Sequence, residues 1–272
     1  MIRTMRRWWL VAVATKRRKH REHGDYGEKQ RAMIRLLTSS HQPPSCANTY
    51  NVQGGLVGMD MDENRLDLAE AGETSGDALE AQRYNTLAIT QASQGMAQGA
   101  LASFSKAIEF DPQNAGYYYN RGIVYAEEGA HEMALQDFMQ ALALRGEDAD
   151  ILHNRGNVYA MMGEWDLAFD DLTRCIELNP NQPEPFNTRG AVLAQRGEPV
   201  AALADFATAI SIKPQYAEAH FNLARVNAAL GQCDIAAAHL REAITLEPTF
   251  KGVYKAIPDF DGCRGQPGFS IE

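Results

Sequence analysis

Small and apolar residues return along the chain every 34 positions, in units starting at Ala81, Ala115, Ala149, Pro183 and Ala217, with no insertion or deletion between them. The fifteenth position of each unit is Gly95, Gly129, Gly163, Gly197 and Gly231, and the twentieth is Ala100, Ala134, Ala168, Ala202 and Ala236. The eighth is Ala88, Gly122, Gly156, Gly190 and Ala224; the twenty-fourth is Phe104, Phe138, Leu172, Phe206 and Leu240. With glycine near 7% of ordinary sequence, the glycine column alone has a chance probability on the order of one in a million.

Each column predicts a structural element. Positions 20, 24, 27 and 28 place Ala, Phe or Leu, a small residue, and Ile or Leu on one face of a helix. The glycine at position fifteen ends a preceding helix, where a left-handed residue costs little only without a Cβ. Positions eight and twenty are expected on facing helices, small so that two backbones can approach. The thirty-second position is Pro112, Gly146, Pro180, Pro214 and Pro248. Proline cannot continue a helix, and Gly146 is expected to stop it in the second unit. Each unit therefore reads as helix, tight turn, helix, stop. One such hairpin cannot bury its own apolar face, so units of this kind stack.

These residues resemble the tetratricopeptide repeat, including its G-x₄-A step and A-x₃-F-x₂-A run. The resemblance covers residues 81–250, as 81–114, 115–148, 149–182, 183–216 and 217–250. It implies an all-α fold, a right-handed α-solenoid of five tandem repeats whose concave face is lined mainly by first helices. Mild departures are Gln91 where the next units have Tyr125 and Tyr159, and Arg121, Arg155 and Arg189 at the seventh position.

The resemblance also implies where a protein or peptide partner would bind, at positions 2, 5, 9, 12 and 13 of the first helices. The groove residues are then Asn85, Ile89, Tyr119, Ile123, Glu127, His153, Asn157, Met161, Asn187, Gln195, Phe221 and Arg225, with Glu184 and Glu218 beside them. Asparagines can bond a ligand backbone, and Tyr119, Ile123 and Phe221 would offer apolar pockets. Family members that grip the acidic tail of heat-shock chaperones use a clamp of Lys, Asn and Arg. Here the corresponding positions hold Tyr119 and Ile123, or His153, Asn157, Thr188, Glu218 and Asn222, so the cations are missing and that partner is disfavoured.

The flanks differ in composition. Residues 251–272 are expected to cap the array, with a short helix over Phe250–Ile257 ended by Pro258, then an extended tail whose Phe260 and Phe269 tuck against the cap. Residues 51–80 read as an acidic linker, with a short helix around Glu63–Ala71 as the alternative. Residues 1–50 carry 11 Lys/Arg against 3 Asp/Glu, whereas residues 51–272 carry 15 against 32, a balance of −17. The repeat region is thus acidic, which argues against a nucleic-acid partner.

The N-terminal stretch Trp8–Ala14, flanked by Arg6-Arg7 and Lys16-Arg17-Arg18-Lys19, is too short for a membrane span or an ordinary export signal. A basic extension, an organelle presequence and translated sequence upstream of a start at Met59 all stay open. Cys46, Cys175, Cys233 and Cys263 show no CxxC spacing and no evident pairing, which favours a reducing, cytoplasmic location over an oxidising one. Targeting to an organelle or for export by residues 1–20 is the alternative.

No catalytic pattern emerges. His131, His153, His220 and His239 lack metal-ligand spacing, and His153 and His239 read as ordinary exposed or groove positions. His220 takes a site that elsewhere is aromatic, a structural role. Cys175 reads as a small buried hydrophobe, and Cys233 and Cys263 as reactive only if exposed, with no base to activate them. Asp166, Asp170 and Asp171 lie on one helix, and Asp170 with Arg174 predicts a solvated ion pair. The reading is a non-enzymatic scaffold with no metal or cofactor. The alternatives are an exported or membrane-associated assembly factor, or a regulatory subunit whose catalytic partner is another chain.

Overall fold

A computed structural model of the chain describes residues 76–271. In order these form α1 (Gly76–Ser93), α2 (Ala97–Phe110), α3 (Ala115–Glu127), α4 (His131–Arg145), α5 (Ala149–Met162) and α6 (Trp165–Leu178). Then follow α7 (Pro183–Gln195), α8 (Pro199–Ile212), α9 (Ala217–Ala229), α10 (Cys233–Leu246) and α11 (Phe250–Val253). Short 3₁₀ turns occupy Tyr254–Ala256 and Pro258–Phe260. No strand occurs among the described residues. Successive helices pair as antiparallel hairpins, each packed on the next, in an α-solenoid. The helix considered near Glu63–Ala71 lies outside the described residues.

The turn inside each hairpin follows from its glycine. At Gly163, with φ of 82°, the next residue's N–H reaches back to the Tyr159 carbonyl at 2.9 Å, and the glycine N–H to Ala160 at 3.1 Å. This is the paired bonding of a left-handed helix terminus. Other ends are set by side chains: Asp148 accepts from the N–H groups of Asp150 and Ile151 at the start of α5, and Pro183 opens α7. Gly146, with φ of 86°, ends α4. The first helix, described from Gly76, extends N-terminal to the Ala81 start of its unit.

Inside a hairpin, the small eighth position meets the large twenty-fourth. A Cβ on Gly190 would lie 2.7 Å from Phe206 Cε1, and one on Gly122 would lie 2.8 Å from Phe138 Cε1. The close approach is thus glycine against an aromatic edge, more than glycine against the alanine at position twenty. Between hairpins, position ten carries the packing. Val124 belongs to the core around Phe104, Val158 to the core around Phe138, and Val192 to the core around Leu172. Each valine covers the apolar face of the hairpin before it, a burial of about 1.5–3 kcal/mol by area.

The C-terminal end departs from expectation. Regular helix stops at Val253, and the tail, read as extended, folds through 3₁₀ turns onto α9 and α10. Phe250, Phe260 and Phe269 join Phe221 and Leu240 in one buried cluster. Arg264 clasps the carbonyls of Tyr254, Lys255 and Ile257. Cys233 and Cys263 form a disulfide that fastens the start of α10 to this tail. That pairing corrects the reading of four unpaired cysteines: 30 residues separate the two along the chain, and only the folded tail brings them together. Neither is exposed, and Cys175 is buried as well.

Candidate functional site

The first helices α1, α3, α5, α7 and α9 touch one another in sequence, and the corresponding second helices do so less. The first helices therefore form a continuous strip on the inner side of the array. The fifth and sixth positions of neighbouring units meet along it. Asn120 Nδ2 donates to Asn85 Oδ1 at 3.4 Å, Asn154 Nδ2 to the Tyr119 hydroxyl at 3.0 Å, and Asn222 Nδ2 to Asn187 Oδ1 at 3.1 Å. Each bond spans 35 residues, one unit plus one position.

This seam changes the picture of the groove. Tyr119, His153, Asn187 and Phe221 all stand at the fifth position and are buried, as is Ile123. Phe221 is 1% exposed, stacked on Phe250 with ring centres 4.3 Å apart, and forms no open apolar pocket. Arg225 is bonded to Asp259 of the tail at 2.8 Å. The cap occupies the place of a further first helix and takes both residues with it. What stays accessible is Asn85, Ile89, Asn157 and Met161 in part, with Glu127 and Gln195 exposed. Position thirteen, at the C-terminal ends of α3, α5 and α7, is the most open column.

His153 is buried, not exposed. Burial alone lowers its pKa to about 4, so the ring is neutral near pH 7. The Asn157 amide lies 3.3 Å from its Nε2, which assigns the remaining proton to Nδ1. His220 is likewise buried, 3.0 Å from the Pro214 carbonyl through Nε2 and 3.0 Å from His239 Nδ1 through Nδ1. Its role is structural, and His239 is half-buried beside it, its own pKa lowered by burial and by His220. Glu127 is exposed, and partial desolvation at the end of α3, then the neighbouring Glu128, still raise its carboxyl.

A charged ladder runs between first and second helices. Arg121 meets Asp137, Arg155 meets Asp171 and Arg189 meets Asp205, each through two hydrogen bonds of 2.7–2.9 Å. The seventh-position arginines were visible in the sequence, but their partners at position twenty-three, sixteen residues on, were not recognised as a column. The repeated spacing was the signal that could have found them. Asp171 therefore belongs to this buried ladder, not to a solvated acidic face. The expected pair of Asp170 with Arg174 does not form; Arg174 bonds Glu147 and Glu177 instead. Glu147 lies in the loop after α4, close in space because neighbouring hairpins pack together.

Among the described residues, no helix is long and apolar enough to cross a membrane. Models described as TPR repeat match residues 92–129 and 124–163, and models described as tetratricopeptide repeat match 149–182 and 187–249. No curated protein matches the chain. Among solved structures, YrrB, described as a TPR protein with an unusual peptide-binding site, is 30% identical, covering 65% of this chain and 92% of its own, with a TM-score of 0.53. A fragment of MamA from Desulfovibrio magneticus RS-1 is 19% identical, covering 62% of this chain and 96% of its own, with a TM-score of 0.58. The pilF protein of Pseudomonas aeruginosa is 19% identical, covering 70% of this chain and 89% of its own, with a TM-score of 0.56. The last two share the fold.

Proposed function

Because the chain belongs to the tetratricopeptide-repeat family, we propose that it is a non-enzymatic scaffold that holds an extended segment of a protein partner along its first helices. The observation that carries this reading is the continuous inner strip, whose seam is rigidly bonded at position five while positions nine and thirteen keep Ile89, Asn157, Met161, Glu127 and Gln195 accessible. A rigid row of accessible polar and apolar groups suits a chain bound in extended form, since little ordering is required of the receptor. The description of YrrB as a peptide-binding protein of the same fold supports the reading.

The test is affinity purification with the full chain, wild type against Asn157→Ala with Gln195→Ala. Gln195 is exposed and Asn157 half-buried beside His153, so circular dichroism and a thermal melt first verify that the variant is folded. Loss of a partner captured by the wild type supports groove binding, and an unchanged set of partners sinks it.

The disulfide between Cys233 and Cys263 favours a second reading: the scaffold works in an oxidising compartment, reached through the basic N-terminal stretch. Fractionation with N-terminal sequencing of the mature chain separates this from a cytoplasmic scaffold. An intact N-terminus in the cytoplasmic fraction would rule it out.

A further inference from the structure

The tail after α10 has two parts. Residues 250–257 lie on the last hairpin through Phe250, Tyr254 and Ile257, with Phe250 stacked on Phe221. Residues 258–271 form a strap across the end of the array, and within it only Phe260, Cys263 and Phe269 are buried. The polar ties of the strap lie at its rim. Asp259 accepts from Arg225 at 2.8 Å, Arg264 donates to the carbonyls of Tyr254, Lys255 and Ile257, and Arg241 donates to the Ser270 carbonyl at 3.0 Å. Water replaces such bonds at small net cost.

The covalent tie is different in kind. Cys263 of the strap is joined to Cys233, the first residue of α10. The bond lies under a thin cover: Gly231, Gln232, Asp234 and Ile235 around Cys233 are exposed, as are Asp261, Gly262, Arg264 and Gly265 around Cys263. A local opening of the glycine-rich stretch 262–268 is enough to bare the sulfurs.

What the strap covers has a definite chemistry. The Phe260 ring lies 6.1 Å from Phe221 and meets Tyr254 edge-on at 6.0 Å, and the preceding residue, Asp259, pairs with Arg225. Phe221 and Arg225 hold the fifth and ninth positions of α9, the columns of the inner strip, and Arg225 is the only Lys or Arg in either column. With the strap lifted, α9 presents an aromatic hollow beside an unpaired guanidinium. That combination receives an acid followed by an aromatic ring, as Asp259-Phe260 already demonstrates.

We infer that the strap is a redox-operated latch, and that opening it adds to the inner strip an end site for a partner segment carrying an acidic residue followed by an aromatic one. The reductant is a dithiol. Its thiolate attacks the Cys233 sulfur, the less buried of the two, the S–S bond breaks, and the Cys263 thiolate leaves and takes a proton. The second thiol of the reductant then displaces Cys233, whose thiolate is favoured at the start of a helix before it too is protonated. Two electrons and two protons pass to the protein, and the dithiol departs as its own disulfide. The identity of the occupant rests on the reading of the first helices as a binding surface; the latch does not.

The experiment uses the full, unsubstituted chain. Amide exchange is followed with and without dithiothreitol. Reduction is expected to speed exchange over residues 258–271 several hundredfold, the effect of releasing a closed loop of this length, and to leave α1 to α8 unchanged. Unchanged exchange in 258–271, or faster exchange of the whole array, overturns the latch. For the end site, the reduced chain is alkylated with iodoacetamide, so that the capped thiols hold the strap off. The probe is a fluorescent peptide copying residues 257–269 with serine in place of the cysteine. It should bind the alkylated form at least about tenfold more tightly than the disulfide form, and lose about tenfold when asparagine replaces its first aspartate. Equal binding to both forms, binding to neither, or indifference to the aspartate overturns the end site. Each of these failures leaves groove binding, tested through Asn157 and Gln195, standing.

Discussion

Arg121 and Asp137 form a two-pronged ion pair, Nε to Oδ2 and Nη2 to Oδ1, each at 2.8 Å, that ties α3 to α4. Nη1 of the same guanidinium donates to Ser105 Oγ on α2 at 3.0 Å, so one side chain joins two hairpins. Removing Asp137 leaves a partly buried guanidinium without its counter-charge. Asp137→Ala is expected to lower stability by about 3 kcal/mol, read as a shift of the urea midpoint at constant slope. Asp137 changed together with Arg121→Met should cost less than the single change, because no charge is then stranded. An additive double variant would show that the pair contributes little.

The approach of Gly190 to Phe206 gives a second expectation. Gly190→Ala places a methyl group against the ring and should destabilise by about 1–3 kcal/mol through overpacking. Phe206→Leu in the same molecule should recover much of that loss, because the last unit naturally pairs Ala224 with Leu240. Thermal melts of the single and double variants measure the coupling.

His153 predicts an acid limb. Its folded pKa of about 4 lies below the unfolded value of 6.5, so the unfolded chain binds the extra proton. Stability is therefore full above pH 6.5 and falls as the pH drops towards 4, by about 3 kcal/mol from this group. His239, lowered by burial and by His220, acts in the same direction. His153→Gln should flatten the limb between pH 6.5 and 4 in urea titrations; an unchanged slope would exclude His153 as its source.

The disulfide makes a fourth prediction. Closing a loop of this length stabilises by roughly 3.5 kcal/mol on the chain-entropy model. Reductant should lower the melting temperature of wild type and leave Cys233→Ala with Cys263→Ala unchanged. Peptide mapping after alkylation of unreduced, denatured protein should find Cys233 and Cys263 unlabelled and joined in one cross-linked peptide pair.

The hairpins were legible in the sequence because they are local. Gly163 needs a left-handed turn, Pro183 starts a helix, and Ala168 with Leu172 and Cys175 marks one helical face. All of these act over fewer than ten residues, and the 34-residue period then repeats the signal. The groove was less legible. Placing Tyr119, His153, Asn187 and Phe221 on an open face followed from their position on the first helix alone. The next hairpin covers that position, and the bond between residues 35 apart that does so is visible only when two units are stacked.

By itself, then, the sequence determined an all-α array of stacked helical hairpins, their turns, and which positions fall on the first helix of each. The tertiary structure alone decided which of those first-helix residues are seam and which are open, since burial depends on the neighbouring unit. It also decided that Arg155 reaches Asp171, that the glycine-rich tail folds back over Phe221, and that Cys233 meets Cys263. Local propensity fixes a helix within its own turns, whereas contacts between distant segments depend on how the apolar faces of successive hairpins meet.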